Sequence, residues 1–144
     1  TFTVDDSGVW TGEVSFDNVT SGGGYKLLVK GPKHIRKQVC DSTPREASPG
    51  TYRCGVGNIT VRVNDANTAD LSVIKLLVGD LFPQDGVIDS YDISLIRNNV
   101  CTTEHPDICK DPGLLAVADL NLDGIIDFQD HSLLISSLSI NSDE

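Results

Sequence analysis

The sequence predicts an α+β protein in two modules, an N-terminal all-β sandwich over residues 1–78 and a small α module over residues 79–144. Three observations carry that prediction. Short runs of branched and aromatic residues, punctuated by Gly, Asn and Asp, fill the first part. An acid-rich loop leading into an amphipathic helix occurs twice in the second. The charge is divided just as sharply: residues 1–67 hold 8 basic and 7 acidic side chains, a net of +1, whereas residues 68–144 hold 3 and 14, a net of −11. A compact acidic segment of that size repels itself unless it is solvated or binds cations. The overall charge of −10 argues against nucleic acid as a partner, and no apolar run reaches the length of a membrane span. A chain with no Met and no basic start before an apolar stretch reads as a mature or excised segment.

In the first module the expected strands are Val9–Phe16, with the single Trp10 placed in the core, then Tyr25–Lys30 after three glycines, Ile35–Cys40, Thr51–Cys54 and Asn58–Val63. Leu71–Val78 is expected to complete the sandwich and run directly into the first loop without a flexible linker. The basic cluster Lys30, Lys33, His34, Arg36 and Lys37 reads first as a solvated strand and turn; a patch facing an acidic partner, or the acidic module itself, is the alternative. Asn18-Val-Thr20 and Asn58-Ile-Thr60 are sequons that carry little weight outside a eukaryotic secretory pathway.

In the second module, Asp119-Leu-Asn121-Leu-Asp123-Gly124-Ile125-Ile126-Asp127-Phe-Gln-Asp130 has the spacing of a twelve-residue, EF-hand-like calcium loop. Oxygens from Asp119, Asn121, Asp123, the carbonyl of Ile125, Asp127 through a water, and Asp130 would surround the ion, while Gly124 permits the sharp turn. The earlier copy aligns Asp85, Gly86, Val87, Asp89 and Asp92 with Asp123, Gly124, Ile125, Asp127 and Asp130. Asp80 supplies its first position, but one extra residue separates Asp80 from Asp85, so the third ligand falls to Gln84, a carbonyl of Phe82-Pro83, or water. Two Ca²⁺ ions are therefore expected. Asp89 and Asp127 are placed as helix N-caps, with Asp92 and Asp130 completing capping boxes. Ile93, Ile96 and Val100 form one apolar stripe and Leu134 and Leu138 another, while Ile88 and Ile126 are expected to pair as a short β-bridge. Asp111-Pro112 opens a short helix before the second loop.

A calcium loop followed by one helix, duplicated over Gly79–Ile140, resembles the dockerin family, and Asp at loop position 12 in both copies strengthens the likeness. The resemblance implies a calcium-dependent docking module with a cohesin-like protein partner, secreted or at a cell surface and prokaryotic. It places the recognition surface on Ser90, Tyr91, Arg97 and Asn98 in the first copy and on Phe128, Gln129, Ile135 and Ser136 in the second. The two sets are unlike, which predicts a single binding orientation. Tyr91 and Phe128 read equally well as covers of the core. The first module is similar in pattern and placement to the carboxypeptidase-regulatory-like or immunoglobulin-like X modules that precede some dockerins.

Four cysteines suggest the pairs Cys40–Cys54 and Cys101–Cys109 and an oxidising, extracellular compartment. A zinc site at Cys101, His105 and Cys109 with Asp107 is the weaker alternative, because Pro106 breaks the helix that would align it. No G-x-S-x-G, H-E-x-x-H or phosphate-binding glycine loop is present, and His34, His105 and His131 have no nucleophile near them in sequence, so no enzyme activity is expected. The runner-up function is structural: a calcium-rigidified subunit that assembles with copies of itself, through an edge strand such as Thr1–Val4.

Overall fold

The computed structural model describes residues 2–52, 54–104, 106, 108–140 and 143–144, with only the backbone of Ile108. Among these residues, six short strands precede three helices. The strands are β1 (Phe2–Val4), β2 (Trp10–Gly12), β3 (Gly22–Tyr25), β4 (Leu27–Val29), β5 (Lys37–Val39) and β6 (Ile59–Val61); the helices are α1 (Ser90–Asn98), α2 (Pro112–Ala118) and α3 (Phe128–Ser137). Single 3₁₀ turns cover Ile108–Lys110 and Leu138–Ile140.

The strands pair as three separate antiparallel ribbons, β1 with β2, β3 with β6 and β4 with β5, rather than as two packed sheets. The sandwich expected over residues 1–78 is therefore replaced, among the described residues, by ribbons of three- and four-residue strands too short to present a continuous apolar face. In the first ribbon Phe2 faces Gly12 and Val4 faces Trp10. Among the described residues no second layer covers it, so Trp10 is 66% exposed and is not a core residue. The third ribbon sets Leu27 against Val39 and Val29 against Lys37. The second is irregular, with a bulge between the Gly22–Val61 and Tyr25–Ile59 pairs.

Among the described residues, neither Thr51–Cys54 nor Leu71–Val78 forms a strand. Thr51 makes an isolated bridge to Ser48, and Arg53 lies outside the described residues. In the second segment the Asp70 carboxylate accepts the Ser72 N–H at 3.0 Å, and Ile74 N–H donates back to the Leu71 carbonyl. These local bonds curl the chain into a turn that competes with sheet pairing. Its end pairs with the basic segment: Val78 bridges His34, and the Leu77 carbonyl accepts from Ile35 N–H at 3.1 Å.

The core lies under the helices. Ile35, Leu81, Ile88, Ile96, Ala118, Leu120, Ile126 and Leu134 form one buried cluster, with Ile93 and Leu138 packed against it. Ile35 is the member that comes from the N-terminal part. Val39 of β5, Ile59 of β6, Cys40 and Tyr52 are also buried. The Tyr52 hydroxyl donates to the Val73 carbonyl at 2.7 Å and lies 3.1 Å from the Glu46 carboxylate. Burial raises the Tyr52 pKa above its usual value. Both expected disulfides, Cys40–Cys54 and Cys101–Cys109, are present. That leaves no thiolate for zinc; the other residues of that alternative, His105 and Asp107, lie outside the described residues.

Candidate calcium loops and docking surface

The helices start where the loops end. Asp89 caps α1 and accepts from Tyr91 N–H at 2.6 Å, and Asp127 caps α3 and accepts from Gln129 N–H at 2.6 Å. Asp92 and Asp130 return the bond to the cap residue's own N–H, completing both capping boxes. Asp111 caps α2, with Pro112 at its first turn.

The same four-acid framework is built twice. At position 12, Asp92 accepts from Leu81 N–H at 2.8 Å and Asp130 from Leu120 N–H at 2.7 Å. At position 5, Asp85 and Asp123 accept from Val87 and Ile125 N–H, each at 3.0 Å. Asp80 and Asp119 both reach the N–H of the loop glycine, at 3.3 and 2.9 Å. Gly86 and Gly124 adopt φ of 86° and 88°, the left-handed conformation for which a loop of this type requires glycine.

Burial turns these acids into an electrostatic problem. Asp80, Asp92, Asp119 and Asp130 are all buried, Asp80 and Asp130 completely. Burial raises the pKa of Asp92, an effect to which its neighbours Asp89 and Asp80 add. In the second loop no described Lys, Arg or His forms a salt bridge with Asp119, Asp123, Asp127 or Asp130. Lys33 comes near, but its ammonium donates to the carbonyls of Leu115 and Asp119 at the end of α2. Among the described residues no three acidic, His or Cys side chains are drawn together as a ready metal centre. The carboxylates close on loop amides instead; Asp130 Oδ1 accepts two of these N–H groups, from Leu120 and Asn121, while every carboxylate keeps at least one lone pair that they do not use. An all-oxygen donor set with buried, uncompensated negative charge fits a hard cation such as Ca²⁺.

Two sequence expectations are corrected here. Ile88 and Ile126 share the core, but no β-bridge joins them among the described residues; the Ile126 carbonyl accepts from Cys101 N–H at 2.8 Å, because the disulfide-closed connection docks there. The basic cluster is not a solvated face. Lys30 pairs with Asp80, Arg36 with Asp143 and Lys37 with Glu144, while Lys33 caps α2, so the cluster faces acidic residues of the C-terminal part, in line with the alternative reading.

Helices α1 and α3 pack on each other, leaving an outer face. Ser90, Tyr91, Arg97, Asn98, Phe128, Gln129, Ile135 and Ser136 are all exposed. Tyr91 is 62% and Phe128 76% exposed, so neither covers the core. Phe128, Gln129, Ser132, Leu133 and Ser136 line a shallow groove with Asn121. Residues 82–139 match the family model of the dockerin type I domain. The segment matched is less than half of the chain and takes in both loops except Asp80 and Leu81. A dockerin-like module is a calcium-binding, protein-docking unit. No curated protein and no solved structure matches the chain. No described helix is long and apolar enough to cross a membrane.

Sequence reasoning missed two contributors to this region, Asp143 and Glu144, which pair with members of the basic cluster. Arg36 N–H donates to Asp143 at 2.5 Å, and Tyr52 N–H donates to Glu144 at 3.1 Å. The available signal was the cluster's charge, opposite in sign to that of the second module.

Proposed function

We propose that this chain is a non-catalytic, calcium-dependent docking module of a secreted or cell-surface protein, and that a cohesin-like domain is its partner. The observation that carries the reading is the second loop, where buried carboxylates without a salt-bridge partner among the described residues lie inside a segment matching the dockerin model. Asp119, Asn121, Asp123, the carbonyl of Ile125, Asp127 through a water, and Asp130 hold the ion in this reading. Calcium, when bound, supplies the positive charge these groups lack.

The chain's own residues do the rest. Asp127 and Asp130 fix the start of α3 through the capping box, so the geometry of the loop sets the direction of the helix. Helix α3 then presents Phe128, Gln129, Ile135 and Ser136 to the partner, beside Ser90, Tyr91, Arg97 and Asn98 on α1. Unlike residues on the two faces favour one binding orientation. The N-terminal part acts as a companion to the module, in the manner of X modules, and Ile35 in the shared core supports the two moving as one body. The disulfides support an oxidising, extracellular setting. A pull-down with a cohesin domain tests the proposal: the partner is retained in calcium and released in chelator, and equal retention in both overturns it.

The exposed β1–β2 ribbon, with Phe2, Val4 and Trp10 each more than half exposed, favours a second reading, assembly with copies of the same chain. Light scattering in calcium separates the two. A monomer supports docking, and large regular assemblies support self-association.

A further inference from the structure

The two loops share a backbone framework but differ in what neutralises them. In the first loop the Lys30 ammonium, just beyond the end of β4, lies 2.5 Å from the fully buried carboxylate of Asp80. Lys30 also stands 4.0 Å from Asp143, whose carboxylate accepts the Arg36 N–H and lies 3.7 Å from the Arg36 side chain. Asp143 is stitched to the same loop, its own N–H donating to the Gly86 carbonyl at 2.8 Å. The extra residue between Asp80 and Asp85 weakens the loop further. Gln84 donates its amide Nε2 to the Asp80 carbonyl at 3.5 Å rather than presenting its oxygen, and Phe82 is 73% exposed.

We infer that Lys30 is a built-in counter-ion for the first loop, so that the chain binds one calcium ion, in the second loop, instead of two. The inference rests on the calcium reading proposed above and deepens it. An ammonium at hydrogen-bond distance and a divalent ion cannot both sit against Asp80, because like charges repel strongly where water is excluded. Calcium affinity also follows the number and charge of the ligands, and this loop offers one oxygen fewer, with its first carboxylate already engaged. The first loop is thus a protein-neutralised scaffold. It holds α1 in place by tying residues of the acidic module to the N-terminal part, and it does so with or without calcium.

Calcium titration calorimetry on the full chain, backed by terbium luminescence, tests this. The expected stoichiometry is one ion per chain, falling to none in the D119N/D123N variant of the second loop. K30Q is expected to raise the stoichiometry to two. Two ions on the wild-type chain, or an ion persisting in D119N/D123N, overturns the inference, and K30Q remaining at one overturns the role of Lys30. A wild-type chain that takes up no ion refutes the calcium reading itself, a different outcome from either. If K30Q fails to fold by circular dichroism, the wild-type and second-loop results still decide.

Discussion

Replacing Asp130 with Asn separates the structural role of that carboxylate from its role as a ligand. Asp130 is fully buried, and its oxygens accept the N–H groups of Leu120 at 2.7 Å, Asn121 at 3.3 Å and Asp127 at 2.8 Å. Asparagine keeps the shape but offers one acceptor oxygen, so its amide nitrogen must face a backbone N–H. A hydrogen bond to a charged group contributes about 1.5–3 kcal/mol, and an unsatisfied buried donor costs about 1–3 kcal/mol. Removing a buried, uncompensated charge works in the opposite direction. In chelator the two effects partly cancel, and a net loss of about 1–2 kcal/mol is expected. Calcium widens the gap. At a free concentration one hundred times its Kd, calcium stabilises the wild-type chain by about 2.7 kcal/mol, and the variant should gain none of this. Urea unfolding at fixed pH, with disulfides intact, measures both terms in parallel series with calcium and with chelator. A D130N chain that keeps the full calcium-induced shift would refute the assignment of Asp130 as a ligand.

Three further outcomes follow from the geometry. Glu144→Gln should destabilise the chain by about 1–3 kcal/mol, because it removes the charge of a carboxylate that accepts the Tyr52 N–H at 3.1 Å and lies 3.9 Å from the Lys37 ammonium; adding Lys37→Met should recover part of the loss in urea midpoints. Phe128→Ala should weaken partner binding roughly thirtyfold, or about 2 kcal/mol, while moving stability by less than about 0.5 kcal/mol, as calorimetry and thermal melts would show. The Glu46 carboxyl lies below its ordinary pKa, chiefly through the Gly50 N–H and then through Lys75 and Tyr52. Its stabilising contribution is therefore complete above the ordinary carboxyl range and lost as pH falls through that range into the lower folded value. Glu46→Gln should accordingly flatten the acid side of a plot of melting temperature against pH, and an unchanged slope would contradict the assignment.

What was legible in the amino-acid order is what short-range bonding builds. Asp89 and Asp127 cap helices through bonds to N–H groups two residues on, and Gly86 and Gly124 turn the loops in place. The Cys40–Cys54 and Cys101–Cys109 links close separations of 14 and 8 residues. Periodicity likewise picked out Ile96 and Leu134 for the core, since the face of a helix is set by its own repeat. Strand alternation was a weaker guide. A strand becomes part of a sandwich only if distant partners cover it, and Trp10 has no such cover.

Folding settled the matters that depend on long-range charge. Lys30 meets Asp80 across 50 residues and Arg36 meets Asp143 across 107, and neither the sign of a side chain nor its local spacing reveals which opposite charge it will reach. The two acid loops share the string Asp-Gly-x-Ile-Asp-x-x-Asp, and nothing in it says what will neutralise either. One receives an ammonium from the ribbon beside it, while the acids of the other face only loop amides among the described residues, because burial makes each charge seek a partner wherever the packed chain happens to bring one.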